Sequence, residues 1–414
     1  MPRNQHGKAA ARATQPATCG RTHLAAAKAG SSQASGVLDL SRTHVLAAAA
    51  VPVLAALAVY LPALHNGFIW DDPLVLQQLR AIQSLHNLLI PPPIIPKFYF
   101  RPVVFVSYLI DRAIGGEMPF WFHVSVIAVH ALNTLLVYTL ARRLFPDEWL
   151  IPSGGALLFA VLPSHVESVA WMAGRSDVIV CAFMLVTVLL FLQHERRWPA
   201  WLGGATFFLA LLSKEMAIAC VLLVPVLDLL SQRRLLWARY LPLLVASGAY
   251  FVLRDRALGA FVGGIPTAES PVQLGLSLLR AFGFYVVRAI VPAPLCAYIP
   301  EVPGGSGYLI AGLVVPLLAF GLIGAAWRRS RWQVAFLVVW FFLTLAPSLT
   351  VIVRRSASAV VADRYLYVPS IASCLLVAWA LVRGAERWRL APRWVAAALA
   401  ALSAGFALEA LAYN

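Results

Sequence analysis

The residue types able to do chemistry fall in a few short strings set in otherwise apolar sequence. Asp71 and Asp72 stand together in HNGFIWDDP, and Arg101 follows in FYFRPVVF. His165 and Glu167 lie in LPSHVESVAW, with Arg175 and Asp177 just beyond in GRSD. Lys214 and Glu215 form the SKE joint between two apolar runs. Arg354, Arg355, Asp363, Arg364 and Tyr365 lie in VRRSASAVVADRYLYVPS. Ionisable groups near a bilayer are expensive, so each asks for a reason. An adjacent acid pair at a membrane surface can take a proton from a hydroxyl; one member can instead hold a sugar hydroxyl or a metal, Mg²⁺ or Mn²⁺ with waters at Asp71 and Asp72. Lys and Arg from other strings can neutralise a phosphate leaving group, Arg through paired donors. Donors aimed at developing charge commonly supply the largest share of catalysis. With a membrane groove that accepts a lipid tail, these parts describe group transfer from a lipid-phosphate carrier to a hydroxyl acceptor. Each string also has a plain reading: a turn for Asp-Asp-Pro, a charged connection for SKE, an interfacial polar turn for His165 and Glu167, and snorkelling anchors for Arg354 and Arg355.

The elements that must position these residues are membrane helices. Of 414 residues, 61% are hydrophobic and 12% charged, and mean hydropathy is +0.78. That composition excludes a soluble enzyme, a disordered chain and a secreted disulfide scaffold. The five cysteines, Cys19, Cys181, Cys220, Cys296 and Cys374, are scattered without a CxxC pair, so they read as packing residues. His130, inside an apolar run, reads as a packed or lumen-facing histidine. Residues 1–42 are basic and lack apolar periodicity, which predicts a disordered cytoplasmic tail. Residues 43–414 are expected to form one transmembrane domain.

Apolar runs at about 43–64, 121–141, 150–163, 178–193, 199–213, 216–230, 235–253, 306–327, 332–352, 365–382 and 394–412 predict an all-α polytopic fold with about 11 transmembrane helices. The run 272–292 carries Arg280 and Arg288. Placing it in or on the interface keeps the Arg328, Arg329, Arg331 cluster and the Arg383 to Arg393 run inside, as the positive-inside rule favours. The N-terminus is then cytoplasmic, the C-terminus outside, and all the polar strings above open on the outer face. The net charge of +15 becomes inner-face charge, not a nucleic-acid footprint. The first outer loop, about 65–120, holds PPP at 91–93 and an interfacial helix over 98–114 with Arg101 and Asp111 at its polar positions.

Three ordered strings, NGFIWDDPLVL, YFRPVVFVSYLIDRAIGG and FHVSVIAVHALNTLLVY, resemble the first third of the transmembrane and tetratricopeptide-repeat O-mannosyltransferases and their bacterial relatives. LFAVLPSHVESVAWMAGRSDVI and LLSKEMAIACVLLVPVLDLL are similar to later segments of that family, and ADRYLYVPS to another nearly letter for letter. The matches run in order over about 66–370. The family lies in the GT-C superfamily of membrane glycosyltransferases. The resemblance implies a GT-C-like fold, an active site at the outer or luminal face and a polyprenyl-phosphate sugar donor; a bacterial-type inner membrane and an undecaprenyl-phosphate sugar are the expected setting. It also implies a protein Ser/Thr or glycan acceptor and inversion at the anomeric centre. By analogy it places the general base on Asp71, with Asp72 binding or orienting. His165, Glu167, Arg175, Asp177, Lys214, Glu215 and Arg364 fall on family motif positions. Phosphate contacts are expected of the bases, and sugar or helix-joint contacts of the acids. The chain departs from the pattern in ending at Asn414 without a tetratricopeptide array, so acceptor recognition by such an array is expected to be missing or supplied elsewhere. A transporter or flippase of a lipid-linked anion would put its charges near mid-span. A non-catalytic scaffold would tolerate their loss.

Overall fold

A long apolar run in lipid has one inexpensive conformation, the helix, because it satisfies every backbone N–H and C=O internally. The computed structural model describes residues 46–90, 99–193, 198–259, 265–296, 298–329, 331–355, 357 and 359–414. Among these it has no strand, and the bridge pairing is one isolated antiparallel contact, Ile299 with Val361. The expected tail 1–42 and the PPP at 91–93 lie outside the described residues.

The helices are α1 (Leu46–His65), α2 (Asp72–Ala81), α3 (Leu85–Leu89), α4 (Pro102–Gly115), α5 (Pro119–Leu144), α6 (Leu150–Ala160), α7 (Val166–Val169) and α8 (Ser176–Phe191). They continue with α9 (Trp198–Ser213), α10 (Cys220–Gln232), α11 (Leu241–Leu258), α12 (Pro271–Ile290), α13 (Ser306–Arg328), α14 (Trp332–Arg354), α15 (Ser370–Arg387) and α16 (Pro392–Tyr413). Among the described residues, eight helical segments are long and apolar enough to cross a membrane: α1, α5, Met172–Phe191, Glu215–Gln232, α12, α13, α14 and α16. The chain is therefore a multi-pass membrane protein.

Eight against about 11 has local causes. α6 and the segment Pro163–Val169 are bent apart by 50° and count as a span only if taken together. α9 has 16 residues. α11 ends in Arg254, Asp255 and Arg256, and the last turns of α15 carry Arg383, Glu386 and Arg387. In the other direction, α12 is long and apolar enough to cross, where an interfacial position was expected. Its Arg288 is buried, 3.5 Å from Asp363, so that charge reports an internal pairing, not a water-facing side. α12 also touches α13 backbone to backbone. A Cβ on Gly283 would lie 1.8 Å from the Tyr308 carbonyl oxygen, and one on Gly312 2.0 Å from that of Leu279. Small residues permit this approach in membranes.

Three breaks in the bundle matter for chemistry. A 3₁₀ turn, Met172–Arg175, precedes α8; a second, Glu215–Ala219, precedes α10; a third, Asp363–Leu366, lies ahead of α15. Each begins after a residue in extended conformation: Trp171, Lys214 and Ala362. Non-helical backbone within a membrane domain is tolerated where it is buried in protein or lines a cavity. At the first break, Gly174 lets the turn close on α7, since a Cβ there would lie 2.3 Å from the Glu167 carbonyl oxygen.

Candidate active site

The three turns, together with the start of α2 and the N-cap of α4, enclose a cavity of about 230 Å³. Its polar wall carries Asp71, Arg101, Lys214, Glu215, Arg364 and Tyr365. Far-separated strings are thus brought together, as expected. The apolar wall includes Val104 and Phe105 of α4, and Pro347 and Val351 of α14.

Each of the three cations is tied to a carboxylate. The Arg101 guanidinium donates to Glu215 at 2.9 and 3.4 Å and lies over the Tyr99 ring at 4.4 Å. The Lys214 ammonium donates to both oxygens of Asp177, at 2.6 and 2.7 Å. Arg364 pairs with Glu167, whose second oxygen accepts the Arg364 backbone N–H at 2.9 Å. The Arg364 guanidinium also stands 5.3 Å from the centre of the Trp171 ring. Asp177 and Glu167 therefore hold the cations without lining the cavity themselves.

The acid pair divides its labour. Asp71 is exposed and lines the cavity, and among the described residues its carboxylate has no hydrogen-bond or ionic partner. Asp72 is fully buried. Its two oxygens accept the Ile69 and Ala173 backbone N–H groups, both at 3.0 Å, which pins the start of α2 to the 171–175 turn. Burial raises the Asp72 carboxyl above its ordinary range, and the two N–H groups pull the other way. An Mg²⁺ or Mn²⁺ ion at the cavity would therefore meet Asp71 alone from this pair. No cluster of three or more metal-ligating side chains occurs among the described residues.

Other expected site residues lie elsewhere. His165 is buried, its Nε2 2.8 Å from the Ser370 hydroxyl and its ring 4.4 Å from that of Tyr367. The same network includes His130, bonded to the Tyr367 hydroxyl at 2.7 Å. Arg175 donates to Asp111 at 2.5 Å and to the Phe122 carbonyl at 2.7 Å, and stacks on Tyr108 at 4.3 Å. Its two Nη groups thus join α4, α5 and the turn before α8. Arg355 pairs with Glu269 at 2.8 Å, away from the cavity, and Arg354 does not line it. Residues not anticipated at the wall include Gln78, Tyr99, Tyr108, Trp171, Ser176, Ser348 and Thr350. Tyr99 and Trp171 flank the charged strings in FYFRP and AWMAGRSD, a pattern that an interfacial aromatic belt also produces.

Asp363 faces Arg288, not the cavity. Burial lifts its carboxyl to about 6, with Arg288 opposing and Glu167 reinforcing the shift. The folded chain then holds this proton more tightly than the unfolded chain. The contribution to stability is full below the ordinary value of 3.8 and is lost as pH rises through about 6. Thermal unfolding in detergent should show the gap between wild type and Asp363→Asn moving in favour of wild type as pH falls from about 7.5 to about 4.5. A gap that is constant over that range would contradict the raised carboxyl.

The fold is that of an all-α membrane protein, GT-C-like in its arrangement. The oligosaccharyltransferase of Archaeoglobus fulgidus, solved with a tethered acceptor peptide, superposes with a TM-score of 0.50 at 13% identity, covering 89% of this chain and 55% of that one. No family model matches the chain. The resemblance to the O-mannosyltransferases read from the motifs is borne out. The Drosophila melanogaster protein O-mannosyl-transferase Tmtc1 is 33% identical over 189 residues, which is 42% of this chain and 22% of that protein. Human protein O-mannosyl-transferase TMTC2 is 30% identical over 211 residues, 45% of this chain and 24% of that protein. The chain thus spans about a quarter of the length of these curated relatives.

Proposed function

We propose that the chain is an inverting glycosyltransferase that moves a sugar from a polyprenyl-phosphate donor to a hydroxyl of a protein or glycan on the outer face of the membrane. One observation carries this reading: a single cavity holds a carboxylate without a partner among the described residues and three oriented cations beside an apolar wall. Asp71 takes the proton of the acceptor hydroxyl as its oxygen bonds to the anomeric carbon. The bond from that carbon to the donor's phosphate oxygen breaks, and the electron pair leaves with the phosphate. Arg101, Lys214 and Arg364 meet the charge that develops there. Val104, Phe105, Pro347 and Val351 receive the first isoprenoid units. Attack from the face opposite the leaving group inverts the centre. Similarity to O-mannosyltransferases favours a mannose donor and a Ser or Thr acceptor.

The test is transfer by the purified protein in lipid nanodiscs, with undecaprenyl-phosphate mannose as donor and a Ser/Thr-rich peptide pool as acceptor, read by mass spectrometry. A peptide gaining one hexose of opposite anomeric configuration to the donor is the expected product. If neither a peptide nor an oligosaccharide acceptor gains sugar from mannosyl, glucosyl or galactosyl donors, the reading is wrong.

A further inference from the structure

Trp70 stands where glycine is the usual residue. The Asp72 N–H bonds the Ile69 carbonyl at 2.9 Å and closes a four-residue turn, of which Trp70 is the second residue with φ of 47°. Asp71 follows with φ of −80° and ψ of −7°. Positive φ followed by those angles belongs to the type II′ turn, whose second position glycine dominates. For a bulky residue it is an outlier. Such strain persists only where the surroundings over-determine it, and it concentrates at active sites and ligand clamps.

The surroundings here are specific. Asp72 grips both ends of the turn's environment through the Ile69 and Ala173 N–H groups. The Trp171 ring meets the Trp70 ring edge to face at 5.3 Å. Yet the indole held in this way stays 57% exposed. It adjoins Asp71 in the chain and Trp171 in space, and both of those line the cavity. Packing alone does not account for it, because a core aromatic would be covered, and the turn would be relaxed by glycine.

We propose that Trp70 is a sugar-stacking platform at the cavity mouth, which receives the C–H face of a pyranose ring and sets which sugar is accepted. The electron-rich face of an indole complements the polarised C–H bonds on the less hydroxylated face of a hexopyranose. The pyranose could come from the donor or from a glycan acceptor, and the chemistry is shared. This inference rests on the transferase reading for its place in the reaction.

Two readouts keep the two claims separable. Saturation-transfer NMR with methyl α- and β-mannopyranoside, -glucopyranoside and -galactopyranoside reports sugar binding whether or not transfer occurs, and the Trp70 variants assign it to the indole. Steady-state transfer reports KM and kcat. Trp70→Phe should keep the saturation-transfer signal at reduced strength. Trp70→Ala and Trp70→Gly should both abolish it and raise KM for the sugar-bearing substrate about tenfold, with kcat little changed. Trp70→Gly is decisive, because it relieves the backbone while removing the ring. Adding excess polyprenyl-phosphate mannose should extinguish the signal if the platform serves the donor sugar and leave it if it serves the acceptor. Wild type without a signal from any of these glycosides, or Trp70→Gly with a signal of wild-type strength, would overturn the proposal. A signal present in wild type and absent in Trp70→Gly, in a protein that shows no transfer, would uphold it and sink only the transferase reading.

Discussion

Asp71→Asn is expected to lower transfer by about 10²–10⁴-fold, the usual range for a positioned general base. Asn keeps the size and polarity of the side chain but cannot take the hydroxyl proton. The carboxylate is exposed and without a partner among the described residues, so unfolding temperature should stay close to that of wild type. On the proposed reading donor binding falls to the cations and should also persist. Asp72→Asn should do the opposite in kind. Its amide nitrogen would face a backbone N–H now accepted by an oxygen, so the start of α2 should loosen and the protein should unfold earlier. Transfer and thermal unfolding, measured on both variants in the same nanodiscs, separate the two roles. Equal activity in Asp71→Asn and wild type would remove Asp71 from the chemistry.

The largest stability effect is expected at Arg175. Its side chain is 1% exposed and that of Asp111 4%, and they meet at 2.5 Å. Among the described residues, Arg175→Ala leaves the Asp111 carboxylate in the protein interior with only the Ser125 hydroxyl, at 2.8 Å, for company. Breaking a buried pair from one side costs about 3–5 kcal/mol. Arg175→Met combined with Asp111→Leu, which removes both charges and keeps apolar bulk, should recover much of the loss. Reversible unfolding in mixed micelles gives the comparison. A single variant within about 1 kcal/mol of wild type would show that the pair does not clamp α4 to the turn before α8.

The sequence made one layer of the site legible and hid another. Asp71, Arg101, Lys214 and Arg364 stand out because charge in an apolar chain is conspicuous, and the structure does gather them around one cavity. Which member of each neighbouring pair faces the cavity was not legible. Asp71 and Asp72, or Asp363 and Arg364, differ only in how a tight turn aims them, and that follows from backbone angles and distant N–H groups. His165 was misplaced for a related reason. Its partners Tyr367 and Ser370 lie some 200 residues on, in a stretch read as a span start, and no local pattern announces the pairing. The interfacial position expected for 272–292 rests on keeping the Arg328, Arg329, Arg331 cluster and the Arg383 to Arg393 run inside, whereas α12 by its own length and apolarity can cross, with Arg288 paired inside to Asp363.

The three cations come ready-matched with Glu215, Asp177 and Glu167, so at rest the pouch is not a reservoir of positive potential. That balance bears on turnover. A strongly cationic pouch would hoard the spent carrier, which departs the reaction with more negative charge than it brought. On the proposed reading, the bare lipid phosphate would meet cations already matched by carboxylates, Asp177 and Glu167 behind the wall and Glu215 in it, with the exposed Asp71 beside them, so the arrangement that steadies the phosphate during bond breaking would also favour its escape afterwards.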